Sequence, residues 1–201
     1  MARYSEKKRA ALDAVMKDEV YRVATEILTK EGAAALTMER IAREVGVARG
    51  TLYNYFADSD AVMIFVEGRI FSPVMEKIEQ IISGSGSPEE KLSAISRAVF
   101  SAFYEDQSLV MAIFPAQVQE GPRCDHKMQQ HARGHSAIQQ VLREGIADGT
   151  FRKISPVLVS EIYLGAVIGL VESMVYSREF RPPEDIVPGF MDFFLAGLRA
   201  G

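Results

Sequence analysis

The chain of 201 residues lacks most of the features that mark secreted, membrane or β-rich proteins. Its single cysteine, Cys124, cannot form an internal disulfide, so a reducing, cytoplasmic location is expected. The first residues lack the apolar segment of a signal peptide. No run approaches the roughly 20 apolar residues of a membrane span, so no membrane partner is expected. Sustained strand-like alternation of apolar and polar residues is also missing, which argues against a β-sheet fold.

Patterns that carry catalysis or hold a cofactor are missing too. There is no Gly-rich phosphate loop after a strand, no nucleophile elbow and no convincing Ser/His/Asp set. We therefore expect that the protein is not an enzyme and that it has no catalytic residues and no cofactor. Cys124 and the three histidines, His126, His131 and His135, lie within twelve residues, but their spacing matches no zinc motif and no metal is predicted. A metal sensor, or one histidine that hydrogen-bonds a ligand, stays as an alternative interpretation.

Excess positive charge is confined to the start of the chain. The net charge is −4. Residues 1–56 nevertheless hold ten Lys/Arg against eight Asp/Glu, and the remainder holds 13 against 19. A mildly basic head on an acidic body indicates that only the head would meet a polyanion.

Apolar residues recur at helical spacing through nearly the whole chain. The pattern predicts a long helix over about residues 13–31 that stops at Gly32. Thr37 is predicted to cap a short helix that breaks at Gly46. The next helices are predicted over about residues 48–56, from the cap Asp58 to about residue 81, and from the capping box Ser87–Glu90 onwards. Further helices are predicted at 109–118, at 123–148, and after Ser155 and Pro182.

The two short helices and their glycine turn form a helix-turn-helix motif, TMERIAREVGVARGTLYNYF, at residues 37–56. Such a second helix fits the major groove of DNA, where Arg reads guanine and Asn reads adenine. Arg49, Thr51 and Asn54 are predicted to face the bases, and Gly50 permits close approach. Thr37, Tyr53 and Tyr55 are predicted to donate to phosphates.

At these residues the sequence resembles the TetR family of bacterial transcriptional regulators. The motif match spans about residues 20–66, and the turn at 144–151 is also similar. The resemblance implies an all-α chain. A three-helix helix-turn-helix DNA-binding domain, residues 1–57, would join a larger helical ligand-binding and dimerisation domain, residues 58–201. It implies a homodimeric repressor that binds a pseudo-palindromic double-stranded DNA operator and is released by a small apolar or amphipathic effector.

Two positions depart from the family pattern. Ala48 stands where the family commonly has a capping Ser or Thr, and Ser59 stands where a phosphate-contacting Lys is common. Both would weaken DNA binding. The basic segment Lys7–Arg9 compensates by contacting DNA in one interpretation and is a disordered tail in another. A helical scaffold protein that acts through protein contacts, with weak or lost DNA binding, therefore stays as the alternative function.

Two further groups of residues are assigned to the larger domain. Helices that are apolar around most of their circumference need partners on both sides, which predicts a dimer surface on the last two helices. Its residues are Ile162, Gly165, Ile168, Gly169, Glu172, Phe190 and Phe194. The resemblance implies a ligand cavity, which Met and aromatic residues suit. Its predicted lining is Phe100, Phe103, Tyr104, Met111, Phe114, Met128, His131, Tyr163 and Val167, with Val118 nearby.

Overall fold

The computed structural model describes residues 2–114 and 121–200, with side chains from residue 8 onwards. Val118 and the predicted helix end at 118 lie outside the described residues. The described part is almost entirely helical, as predicted. Its α-helices are α1 (Ala2–Glu31), α2 (Met38–Val45), α3 (Arg49–Tyr53), α4 (Ser59–Ser83), α5 (Pro88–Glu105), α6 (Gln107–Ile113), α7 (Pro122–Ala147), α8 (Pro156–Ser177) and α9 (Pro183–Leu198).

The described residues group into two compact units. Unit 1 comprises those of Met1–Arg69 and Met111–Cys124, and unit 2 comprises those of Ile70–Val110 and Asp125–Gly201. Unit 1 therefore extends past the predicted domain boundary at residue 57, because the first part of α4 packs with the preceding helices.

In unit 1, α1 packs on α2, and α2 on α3. Gly32 ends α1 with a φ of 83°, a backbone conformation that glycine adopts without strain. The backbone of α1 is helical from Ala2, so the basic segment Lys7–Arg9 belongs to a helix and is not a disordered tail. The shared core is apolar and contains Val20, Ala24, Ile27, Leu28, Ile41, Leu52, Phe56, Val62 and Val66.

In unit 2, α5 packs along α9. The predicted capping box begins α5: Ser87 Oγ accepts from the Glu90 amide, and the Glu90 carboxylate accepts from the Ser87 amide at 2.8 Å. Ser155 caps α8 by accepting from the Leu158 amide, as predicted. Four aromatic rings form the core between the helices: Phe100, Tyr163, Phe190 and Phe194.

Contacts just past the C-terminal end of α9 join it to the turn after α7. Residues Phe151 and Arg199 form an isolated antiparallel bridge, the one β pairing within the described residues. The Arg199 guanidinium also pairs with Glu89 at 2.8 Å. These contacts hold the last turn of α9 against the start of α5.

Helix α8 is more apolar than the sequence analysis allowed. By length and composition alone it could cross a membrane, with a mean hydropathy of 1.7 over its most apolar window. Only 28% of that window is buried within the chain. Length and composition alone do not make α8 a membrane span, and its apolar exposure needs an explanation from the surface it presents.

Candidate nucleic-acid interface

The helix-turn-helix is built by local signals that the sequence contains. Thr37 Oγ1 accepts a hydrogen bond from the Arg40 amide at 3.3 Å and so caps α2. Gly46 ends α2 with a φ of 80°, and its amide donates to Ala42 and Arg43 carbonyls. The left-handed turn that glycine allows sets α3 at an angle to α2.

Helix α3 divides into a buried side and an exposed side. Leu52 is fully buried, and Phe56, just past the helix, is nearly so. Arg49, Gly50, Tyr53 and Asn54 are exposed, whereas Thr51 and Tyr55 are half-buried. The exposed set supplies the polar groups that a groove-reading helix needs.

Arg49 and Tyr53 are associated on the surface of α3. The Arg49 guanidinium donates to the Tyr53 hydroxyl at 3.0 Å and lies 5.5 Å from the centre of its ring. The aromatic ring therefore restricts the arginine, which reduces the entropy that Arg49 loses when it binds a partner.

Tyr55 contacts α1 rather than solvent. Its hydroxyl donates to Asp13 Oδ1 at 3.0 Å, and this bond is the main reason that the pKa of Tyr55 is raised. Both residues line an open cleft of about 720 Å³ between α1 and α3, whose lining is Arg9, Leu12, Asp13, Lys17, Thr51, Asn54 and Tyr55. The α1 residues of this cleft could not be found from the sequence, because they meet the segment around α3 only through contacts such as Asp13–Tyr55, which are 42 residues apart.

The two departures from the family pattern have clear local consequences. Ala48 occupies the N-cap of α3 in an extended conformation and makes no side-chain cap. Ser59 is the first residue of α4, which Asp58 caps by accepting from the Ala61 amide at 2.8 Å. The helices therefore begin where predicted, and α3 does so without a side-chain cap.

The predicted ligand-binding residues are divided between the two units and differ in burial. Phe100, Phe103, Tyr163 and Val167 are buried in unit 2, and Tyr104 there is half-buried. Met128, with 66% of its surface accessible, and His131 are exposed on α7. Met111 and Phe114 belong to unit 1 and are half-buried.

Tyr163 carries a buried polar group inside the ring cluster of unit 2. Its hydroxyl shares a hydrogen bond with Ser96, and Ser96 in turn donates to the Leu92 carbonyl at 2.8 Å. Burial raises the pKa of Tyr163, so the phenol is neutral at physiological pH. This pair is the one fully buried hydroxyl–hydroxyl contact among the described residues.

The histidines lie along α7 in different surroundings. His135 Nδ1 is 3.2 Å from the buried Ser160 hydroxyl, and Gln139 donates to that same hydroxyl. Partial desolvation lowers the pKa of His131, and the nearby His135 and Lys127 lower it further. Among the described residues, no group of three or more His, Cys, Asp or Glu side chains is placed to hold a metal ion.

The predicted dimer residues separate into an exposed set and a buried set. On α8, Ile162, Gly165, Gly169 and Glu172 are exposed, and Ile168 is half-buried. On α9, the rings of Phe190 and Phe194 are only 8% and 7% exposed. They pack on Tyr163 inside unit 2. On α9 it is the neighbouring Phe193, 76% exposed, that presents its ring to solvent.

A helix-turn-helix with an exposed polar second helix, followed by a larger helical unit, defines a class of DNA-binding regulator. Family models agree. Residues 20–64 match the model for bacterial regulatory proteins of the tetR family, and residues 85–172 match the tetracyclin repressor-like C-terminal domain. The two matches cover most of the chain, and it belongs to the TetR family of transcriptional regulators.

Individual relatives include a transcriptional repressor and a regulator of fatty acid metabolism. The chain is 26% identical over 139 residues to the HTH-type transcriptional repressor KstR2 of Mycolicibacterium smegmatis, covering 68% of this chain and 67% of that one. It is 24% identical over 136 residues to the fatty acid metabolism regulator protein of Bacillus subtilis, covering 67% and 70%. Both are named as regulators.

The fold is shared with a solved relative. The transcriptional regulator FadR from Bacillus subtilis in complex with stearoyl-CoA superimposes with a TM-score of 0.79. The match covers 89% of this chain and 97% of that one, at 19% identity. At this identity the likeness shows the fold, an N-terminal helix-turn-helix with a helical second domain.

Proposed function

We propose that the protein is a homodimeric transcriptional repressor that binds a pseudo-palindromic operator in the cytoplasm and leaves it when a small amphipathic ligand binds. The observation that carries the DNA part is α3, which a glycine turn and a buried Leu52 hold with Arg49, Gly50 and Asn54 exposed. That arrangement matches the docking geometry of a recognition helix in the major groove.

Selection from a library of palindromic duplexes, followed by fluorescence anisotropy, tests this function. We expect the wild type to enrich one sequence and Arg49→Ala to weaken its binding by about 1–3 kcal/mol for each half-site, since a paired Arg–guanine contact is worth that much. Arg143→Ala, an exposed arginine of α7 in unit 2, is the matched control and should bind like the wild type.

The alternative, a helical scaffold that acts through protein contacts, draws support from two observations. Ala48 gives α3 no side-chain cap, and Ser59 gives α4 no cation at its start. Failure of the wild type to enrich any sequence at moderate salt would favour the scaffold and end the repressor proposal.

The dimer surface that we propose consists of a stripe of exposed residues along α8 and a second stripe of exposed residues on α9. Leu158, Ile162, Gly165, Gly169 and Tyr176 recur at helical spacing and are all exposed. A Cβ added at Gly165 or Gly169 would meet no atom within 4 Å, so the subunit itself does not need these glycines. Close approach of a helix from a second copy would use them.

We assign the exposed face of α9 to the same dimer surface. Gly189, Phe193 and Gly197 lie on it, and a Cβ at either glycine would also meet nothing. Exposed apolar groups on two successive helices support a four-helix interface between two subunits. This pairing would bury the apolar side of α8 without a membrane.

A long-chain acyl thioester is the effector class that we propose first. The fatty acid regulator of similar fold binds stearoyl-CoA in its solved structure. The core of unit 2 is apolar and aromatic, with the Ser96–Tyr163 pair as a polar contact inside it, which suits an amphipathic ligand. The buried predicted residues, Phe100, Phe103, Tyr163 and Val167, are the first candidates for its lining.

Anisotropy with the selected operator tests the effector. We expect stearoyl-CoA to lower operator affinity and free coenzyme A to leave it unchanged, because the acyl chain supplies the apolar contacts. By linkage, the operator must lower the affinity for stearoyl-CoA by the same factor. An operator affinity that is equal with and without saturating stearoyl-CoA would refute the acyl thioester, and a sterol would be the next probe.

A further inference from the structure

Helix α1 presents two cations to the cleft beside the recognition helix. Arg9, Asp13 and Lys17 are spaced at intervals of four residues, so they share one face of α1. All three line the cleft together with Thr51, Asn54 and Tyr55 from the α3 side. The face of α1 that borders the proposed reading surface is therefore charged.

The cationic side chains of unit 1 that form no ion pair are concentrated near this cleft. Six cationic side chains elsewhere in the unit form ion pairs with carboxylates: Arg22, Lys30, Arg40, Arg43, Arg69 and Arg123. Within the described side chains of the unit, four cations form no ion pair: Lys8, Arg9, Lys17 and Arg49. Two of these line the cleft and a third begins α3. Unpaired positive charge thus collects beside the recognition helix.

The tyrosine in the cleft cannot serve as a phosphate donor in this arrangement. A phenol has one O–H, and that of Tyr55 is donated to Asp13. The bond joins α3 to α1 over 42 residues of sequence and leaves only an acceptor oxygen for a phosphate, which needs a donor. A polyanion that enters the cleft must be held by the neighbouring cations.

We propose that Arg9 and Lys17 bind the phosphodiester backbone of the DNA that α3 reads, and that the Asp13–Tyr55 bond fixes α1 in the position that this requires. The proposal rests on the proposed function and names contacts beyond the helix-turn-helix motif. Eight residues of helix separate the two cations by about 12 Å. Because phosphates follow one another every 3.4 Å along the axis of a strand, this span allows contacts to phosphates several nucleotides apart. These contacts would replace the cation missing at Ser59.

The test measures the salt dependence of binding. Arg9→Gln, Lys17→Gln and the double variant are compared with the wild type on the selected operator and on a scrambled duplex of equal length. Each lost phosphate contact should reduce the slope of log affinity against log salt by about 0.9. In the proposed dimer each substitution is present in both subunits, so a single variant should reduce the slope by about 1.8 and the double variant by about 3.6. The loss of affinity should be the same factor on both duplexes, since backbone contacts carry no sequence information.

Lys30→Gln is the matched control, because Lys30 lies on the same helix and pairs with Glu26 away from the cleft. Its salt slope should equal that of the wild type. Asp13→Asn keeps an acceptor for the Tyr55 hydroxyl and removes a negative charge, so it should raise the affinity for both duplexes. All the changed side chains except Asp13 are exposed, and unchanged melting temperatures will show that the fold is retained.

The outcomes separate this proposal from the proposed function. A wild type that binds the operator while the double variant keeps its salt slope would overturn the role of Arg9 and Lys17 and leave the repressor intact. If the double variant loses affinity for the operator but not for the scrambled duplex, the proposal would also be overturned, because such a loss means that these residues contact bases. A wild type that binds no duplex would overturn both.

Discussion

At the scale of single residues, a side chain at Gly50 should have opposite effects on the stability of the fold and on DNA binding. It lies inside α3, where glycine is a poor helix former, and a Cβ built there would meet no atom within 4 Å. Gly50→Ala should therefore raise the free energy of unfolding by about 0.5–1 kcal/mol. If the helix start lies against DNA, the added methyl group should cost about 1–3 kcal/mol of operator binding, at least about a fivefold loss.

Urea unfolding and operator anisotropy on the same preparation measure both effects of Gly50→Ala. Gly46→Ala is the contrasting variant, because Gly46 has a φ of 80° and an alanine there is strained by about 1–2 kcal/mol. Gly50→Ala binding as tightly as the wild type would mean that the start of α3 stays away from the DNA.

Ala48 offers a second test at this scale. It holds the N-cap of α3 with φ −66° and ψ 142°, a conformation from which a serine hydroxyl can accept an amide of the first turn. Ala48→Ser should stabilise the protein by about 1 kcal/mol. Ala48→Val, which cannot accept the bond, is the control, and equal unfolding midpoints for the two variants would contradict the missing-cap explanation.

At the scale of elements, the turn after α7 depends on a glycine for packing. A Cβ on Gly145 would lie 2.2 Å from the Phe151 ring, which is buried. Gly145→Ala should therefore destabilise the protein by about 1–3 kcal/mol. Adding Phe151→Leu should recover part of that loss, so the two changes are coupled in a double-mutant cycle. If the double variant instead loses as much stability in thermal unfolding as the two single variants together, the added methyl group and the ring do not interact, which would contradict the clash.

A buried ion pair joins the start of α7 to the middle of α4. Arg123 and Glu67 are both almost fully buried, and Arg123 Nη2 lies 2.6 Å from Glu67 Oε1. Removing one partner leaves an unpaired buried charge, so Glu67→Leu or Arg123→Met alone should cost about 3–5 kcal/mol. The double variant should recover most of the loss, because an apolar pair needs no desolvation of charge. Urea denaturation measures all three, and single losses below about 1 kcal/mol would contradict the prediction.

At the scale of the whole molecule, the proposed dimer makes one residue decisive for both assembly and DNA binding. Ile162 is 51% exposed on the α8 stripe, so Ile162→Arg should leave the fold stable. It should convert the dimer into a monomer in analytical ultracentrifugation. Operator affinity should fall steeply with it, since a single helix-turn-helix then holds only one half-site.

Met128→Arg is the matched control for that experiment. It places the same charge on another exposed apolar residue, on α7 and outside the stripe. It should sediment as the wild type does. A dimer that survives Ile162→Arg would place the interface elsewhere, and a wild type that sediments as a monomer would refute the dimer.

Much of the architecture could be predicted because its signals are local. Thr37, Ser87 and Ser155 cap helices as expected, and Gly32 and Gly46 end them with left-handed backbone. Each of these features depends on neighbours within four residues, so the sequence around it contains the information. The start of the first helix was placed too late because the residues before 13 lack apolar spacing.

The predictions were least accurate where a residue's role depends on distant elements. Phe190, Phe193 and Phe194 look alike in sequence, and only the packing of α9 on α5 and Tyr163 separates the inward rings from the outward one. The cleft beside α3 was missed for the same reason, since the contact between Asp13 and Tyr55 spans 42 residues.

By itself, the sequence determined the helix-turn-helix, its polar second helix and the family to which the protein belongs, because caps, turns and helical periodicity act over a few residues. Only the tertiary structure decided which apolar groups stay exposed on α8 and α9, and which cations stay unpaired beside α3. Burial and ion pairing are set by elements far apart in the chain. That is why Phe193, Arg9 and Lys17 become candidates for binding only once the helices are packed.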